Sequence, residues 1–101
     1  ALISHMPVLV SAALLHNAAS GEAVALAQAL ASSGFADTTR IGGGNPQLGT
    51  LMARCNQDAV LAALESYQQQ LERLRFLVLS KDWQVLQEKL SAAQALRPDF
   101  L

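Results

Sequence analysis

The sequence is short of charge. Only 15% of its 101 residues are Asp, Glu, Lys or Arg, against about 25% in an ordinary globular chain. The net charge is −1, and the seven basic residues are scattered from Arg40 to Arg97 without forming a block. That distribution leaves no electrostatic footprint for nucleic acid. Cysteine is almost missing. Cys55 stands alone, which excludes an internal disulfide and suits a reducing, cytoplasmic compartment. Val and Ile are few, and nothing alternates with period two over a strand length, so no sheet is expected. No apolar run is long enough for a membrane span, since Met6 to Leu15 is nearly all apolar but covers too few residues. Ala18-Ala19-Ser20 behind it imitates a secretory cleavage site, but no Lys or Arg precedes the run, which argues against a signal peptide. His5, His16 and Cys55 have no metal-ligand spacing, HExxH is absent, and no Ser-His-Asp set is recognisable from residue order. Cys55 is expected to be a buried structural thiol.

What the chain has is Ala and Leu, 18 of each, within a hydrophobic total of 51%. Both residues favour helix. The expected fold class is all-α, a helical bundle of about five helices forming one domain over residues 1–101. A domain this small buries a limited share of its surface. So apolar a composition therefore calls for a partner, either another subunit or a further domain of the same protein. The chain begins at Ala1 with no initiator Met and no basic leader, and its first residues already approach a helix. We expect a piece of a longer protein.

Ser4 is placed to cap a first helix, with Pro7 tolerated in its opening turn. That helix reaches about Asn17 and is apolar on nearly all sides, which marks it as buried and central. His16 near its end suits the helix dipole. After Ser20-Gly21, a second helix is expected from Glu22, whose charge suits a helix start, to about Ser33, with Val24, Leu26, Ala27 and Leu30 as its stripe. Gly34 is a natural stop. Phe35 to Asn45 reads as a loop containing Asp37. Asn45 then caps a third helix with Pro46 at its first position. This helix carries Leu48, Leu51 and Met52 and ends near Asn56. The fourth helix, Gln57 to Leu79 with Asp58 in its first turn, is the longest, roughly 35 Å at 1.5 Å per residue. Val60, Leu64, Tyr67, Leu71, Leu74 and Val78 recur at alternating steps of four and three. That is a seam of coiled-coil type, and it serves equally well as internal core or as a dimer interface. Asp82 is placed to cap a fifth helix, Trp83 to about Ala95, with stripe Trp83, Leu86, Leu90 and Ala93. Helices four and five are expected to close as an antiparallel hairpin around their stripes. Pro98 is expected to end regular structure.

Two places carry possible chemistry. Gly42-Gly43-Gly44-Asn45-Pro46 is neither GxGxxG nor a P-loop, and no strand precedes it. It leads bare backbone into a helix start, where N–H groups and the dipole favour an anion. Arg40 lies just upstream, and its guanidinium can grip a carboxylate with two parallel hydrogen bonds. Against this stands a plain flexible loop with a solvated Arg. His5 opens the apolar helix, either facing a cavity or partner or serving as a capping or satisfied core histidine.

Three segments in register resemble the C-terminal domain of the prephenate/arogenate dehydrogenases. Ile3-Ser4-His5-Met6-Pro7 is similar to the family's SHLP helix start. Gly34-Phe35-Ala36-Asp37-Thr38-Thr39-Arg40-Ile41 is similar to its GF-D-TR loop. Gly44-Asn45-Pro46 followed by Asn56 is similar to its SDP…N helix. The likeness runs over nearly the whole chain. The wording Gly-Gly-Gly-Asn-Pro-x-Leu-Gly looks like the cyanobacterial branch, which favours arogenate and NADP.

The resemblance implies a dimerisation domain like the C-terminal domain of 6-phosphogluconate dehydrogenase, belonging to an oxidoreductase of tyrosine biosynthesis. Such enzymes oxidise arogenate or prephenate with loss of carbon dioxide. They pass hydride to NADP or NAD held by an N-terminal Rossmann domain, which this chain does not contain and which also carries the catalytic His. By position, Arg40 matches the arginine that holds a substrate carboxylate, and His5 matches the first His of the SHLP helix. Gly43 and Gly44 complete the implied substrate-binding set, and the chain is expected to form a homodimer, inactive without its other domain.

Two departures bear on substrate choice. Val8 stands where many members have a second His, and Gly49 where many have Trp, both implied to belong to the substrate pocket. Two other readings stand beside this one. The first is a free-standing, non-enzymatic helical interaction module. The second is a related 6-phosphogluconate-dehydrogenase-like domain serving another substrate.

Overall fold

In a computed structural model, residues 2–21, 24–30 and 32–101 are described, and among them there are six α-helices, two short 3-10 helices and no strand. The fold class is all-α as expected. The helices form two compact units, Ala1–Leu64 and Glu65–Leu101.

In the first unit α1 spans His5–Ala19, and its last turn is closed by the Ser20 N–H on the His16 carbonyl. Ser4 occupies the N-cap position, but its side chain makes no capping bond. This helix is the hub of its unit. The 3-10 helix Arg40–Gly43 packs on it most extensively, and α2 (Val24–Leu30), α3 (Ser33–Thr39) and α4 (Pro46–Cys55) also adjoin it. Met6 and Ser11 are buried. Val8, Leu9, Val10, Leu14 and Leu15 are only half-buried, so the expectation of burial on every side is not met within one chain.

The single second helix expected from Glu22 to Ser33 is corrected. The chain is extended at Ser32 and restarts as α3, which places Gly34 in a first turn instead of at a stop. The proposed role of Glu22 falls outside the described residues. The Phe35–Asn45 loop is likewise corrected, because nearly all of it is helical. Gly34, Thr38 and Thr39 are poor helix formers, and the two threonines also bond back to carbonyls one turn earlier, Gly34 and Phe35. Docking on α1 overrides that weak propensity. On α2, Leu26 and Leu30 of the expected stripe remain exposed.

α4 begins as read. Asn45 Oδ1 accepts the Leu48 N–H at 3.1 Å, and Pro46 takes the first turn. Its inward face differs from expectation. Leu48 and Leu51 are exposed, whereas Gly49, Met52, Ala53 and Asn56 are half-buried. Cys55 lies off that face and is exposed, correcting the buried thiol.

α5 spans Gln57–Leu79 and α6 spans Trp83–Leu96, as the pattern implied. Val60, Ala63 and Leu77 are the buried positions of α5. It ends in a Schellman turn, in which the Asp82 N–H reaches the Leu77 carbonyl and the Lys81 N–H reaches that of Val78. Lys81 takes the left-handed conformation, φ 58°, that such a turn demands and that glycine usually fills. Asp82 Oδ1 then accepts the Val85 N–H and caps α6.

The hairpin expected around two stripes does not form that way. In the second unit α6 and the second half of α5 run side by side hardly at all. They share a shallow recess lined by Arg73, Phe76, Leu77, Val85 and Lys89. Trp83 and Leu90 of the stripe stay 56% and 58% exposed. Pro98 does not end regular structure but opens a second 3-10 helix, Arg97–Phe100. Among the described residues no helix is long and apolar enough to cross a membrane.

Candidate functional site

One stripe of α1 organises the site. His5, Val8 and Ser11 are three residues apart and share a face of the helix. Asn56, Gly49 and Gly42 meet them in reverse order, seven residues apart. Asn56 Nδ2 lies 3.5 Å from His5 Nδ1. A Cβ on Gly49 would sit 3.6 Å from Val8 Cγ1. Gly42 lies on Ser11 itself. The chain from the first 3-10 helix through α4 therefore meets α1 at three points, in the reverse order of the chain.

The Gly42 contact is the closest of the three. A Cβ there would fall 2.6 Å from the Ala12 nitrogen and from the Ser11 carbonyl carbon. Glycine is required for approach and not for backbone angle, since no glycine has a positive φ. At this point the Ser11 hydroxyl, 2% exposed, donates to the Thr38 carbonyl at 2.9 Å and accepts the Gly42 N–H at 2.9 Å. The end of α3 and the 3-10 helix are thus fastened to the middle of α1 by one side chain.

Arg40 stands between those two fastenings, at the first residue of the 3-10 helix. It is exposed, and among the described residues it forms no ion pair. Gly43 and Gly44 follow in the same turn and are also exposed. The bare-backbone picture needs amendment, because the Gly42 N–H is taken by Ser11 and the Gly44 N–H by the Ile41 carbonyl. The turn leaves Arg40 exposed, together with Ile41, Gly43 and Gly44. His5, half-buried, lies six residues before Ser11 on α1, about 9 Å of helix rise. Arg40, Gly43 and Gly44 are therefore brought into one turn, and His5 is set against Asn56 on the helix that carries that turn.

The sequence did not single out Ser11, nor the pairing of Asn56 with His5. Ser11 carried a signal, since it is a small polar residue in the middle of an otherwise apolar helix. Asn56 entered only through resemblance, and its contact with His5 spans 51 residues of chain with no local sign. The two departures, Val8 and Gly49, turn out to face each other, so that a Cβ at Gly49 would meet Val8.

Residues 1–92 match the family described as prephenate dehydrogenase, dimerization domain. The chain also aligns with the crystal structure of Synechocystis arogenate dehydrogenase at 46% identity and a TM-score of 0.96, covering 99% of this chain and 37% of that one. It thus spans little more than a third of that protein's length, and its all-α fold is the fold of that helical part. On the match over nearly its whole length, the chain belongs to the prephenate dehydrogenase dimerization-domain family.

Proposed function

We propose that this chain is the substrate-contacting and dimer-forming part of an arogenate dehydrogenase that works in the cytoplasm and uses NADP or NAD. The observation that carries the reading is Arg40, an exposed guanidinium without an ion-pair partner among the described residues, on a turn fixed to α1. Its planar fork suits a carboxylate, which both arogenate and prephenate offer. Gly43 and Gly44 leave the approach to that fork free of side chains. His5, steadied by Asn56, supplies a polar group at the start of the same helix.

A nicotinamide cofactor does not fit the residues present. Gly42 and Gly43 lie in a 3-10 helix, with no strand leading in and no GxGxxG spacing. The cofactor and the hydride step belong to an N-terminal Rossmann domain outside this chain, and this segment alone is inactive. Val8 and Gly49 tune the reading of the substrate side chain, favouring the ammonium of arogenate over the ketone of prephenate. Self-association follows from the apolar surface of α5 and α6 and gives a homodimer.

Steady-state kinetics of the full-length enzyme test this. Arg40→Ala should raise KM for arogenate at least about tenfold while kcat changes little, as expected for lost uniform binding by a charge-assisted pair. An unchanged KM would remove Arg40 as the anchor. A higher kcat/KM for prephenate than for arogenate would remove the role given to Val8 and Gly49.

A further inference from the structure

The hydroxyl of Ser11 is placed unlike an ordinary helical serine. A serine inside a helix commonly bonds back to a carbonyl one turn earlier. Ser11 instead makes two long-range bonds, to Thr38 and Gly42, across 27 and 31 residues. It is 2% exposed, and no buried side-chain polar atom lacks a partner among the described residues. If packing alone were at stake, alanine would fill the space without any polar atom to satisfy. The hydroxyl answers two backbone groups at once. One is a carbonyl at the end of α3, where the helix supplies no partner of its own, and the other is an N–H in the 3-10 helix. These groups sit two residues before and two residues after Arg40.

We infer that Ser11 is a positioning residue for Arg40, setting where the guanidinium meets the substrate carboxylate. The inference rests on Arg40 being the substrate anchor as proposed above. Arg40 has no ion-pair partner of its own among the described residues, so the direction of its side chain is inherited from the backbone that Ser11 holds at Thr38 and Gly42. Among the described residues no other α1 side chain forms a hydrogen bond to this turn. Removing the hydroxyl takes away both bonds at this part-buried contact, and the turn loosens about Arg40.

The experiment is a double-mutant cycle in the full-length enzyme, reading KM and kcat for arogenate. Ser11→Ala should raise KM about tenfold, since small misplacements of a binding group are costly. The same change made in an Arg40→Ala background should alter KM by less than about twofold, because coupled residues are not additive. Melting temperature should fall by similar amounts in both backgrounds, which separates positioning from mere stability. Ser11→Cys, retaining a weak donor and acceptor, should give an intermediate KM and the same suppression, and it serves as the readout if Ser11→Ala does not fold. Equal fold-changes in KM in the two backgrounds, or a wild-type KM in the Ser11 variants, would overturn the inference while leaving Arg40 in place. A wild-type KM for Arg40→Ala alone would overturn the anchor, and the inference with it.

Discussion

The stretch up to Leu64 and the stretch from Glu65 hold themselves together in different ways. In the first, close packing comes from small groups. Gly42 lies against the backbone of α1, Ser11 joins Thr38 to Gly42, and Met6, Thr39, Val60 and Ala63 are buried. In the second, Leu77 is the one buried apolar side chain among the described residues. Phe76, Leu79, Trp83, Leu90, Leu96 and Phe100 are all largely exposed. The one ion pair found there, Arg75–Glu72, is solvent-exposed and contributes little. A short helical segment of this kind gains most of its stability from packing of an apolar face. The first stretch has made part of its packing within the chain, with Leu26, Leu30, Leu48 and Leu51 left exposed, and the second presents a surface whose packing is almost wholly still to be made, in keeping with a family named for dimerization.

The largest effect should come from spoiling that surface. The isolated chain should sediment at about twice its 10.7 kDa. Leu71→Asp combined with Leu90→Asp should weaken the dimer at least about a thousandfold, about 4 kcal/mol. A wild-type chain that sediments as a monomer would break the comparison. Next comes Gly42→Ala in the first stretch. The added carbon meets backbone at 2.6 Å, and forcing it in should cost about 3 kcal/mol in chemical denaturation, with dimerisation of the refolded chain little affected. The smallest effect should be Gly49→Ala, with the opposite sign. Its Cβ finds ordinary room 3.6 Å from Val8, and replacing a helical glycine should stabilise by roughly 0.5–1 kcal/mol. A loss of stability there would mean that α4 approaches α1 as tightly as the 3-10 helix does.

The parts of the fold legible in the sequence are those specified locally. Asn45-Pro46 and Asp82 start α4 and α6 through bonds three residues long, and the four-and-three spacing marks α5 along its full length. α3 was not legible. Its glycine and threonines speak against a helix, and docking on α1 decides the matter. The inward face of α4 was misread for a related reason. Leu48 and Leu51 carry the hydrophobic signal, but the half-buried positions are Gly49, Met52, Ala53 and Asn56, of which Met52 alone carries a strong one. The hairpin failed because an apolar stripe announces that it will be covered without naming the cover. At the candidate site, Arg40 was legible from anion chemistry and family likeness. Ser11 and the pairing of Asn56 with His5 exist only once distant parts of the chain meet.

The seven-residue spacing of Gly42, Gly49 and Asn56, each of which meets α1, also constrains chain length. One residue inserted in α4 between Gly49 and Asn56 would rotate everything beyond it by about 100°, carrying Asn56 off the face that meets His5. The interval between the last two should tolerate neither insertion nor deletion.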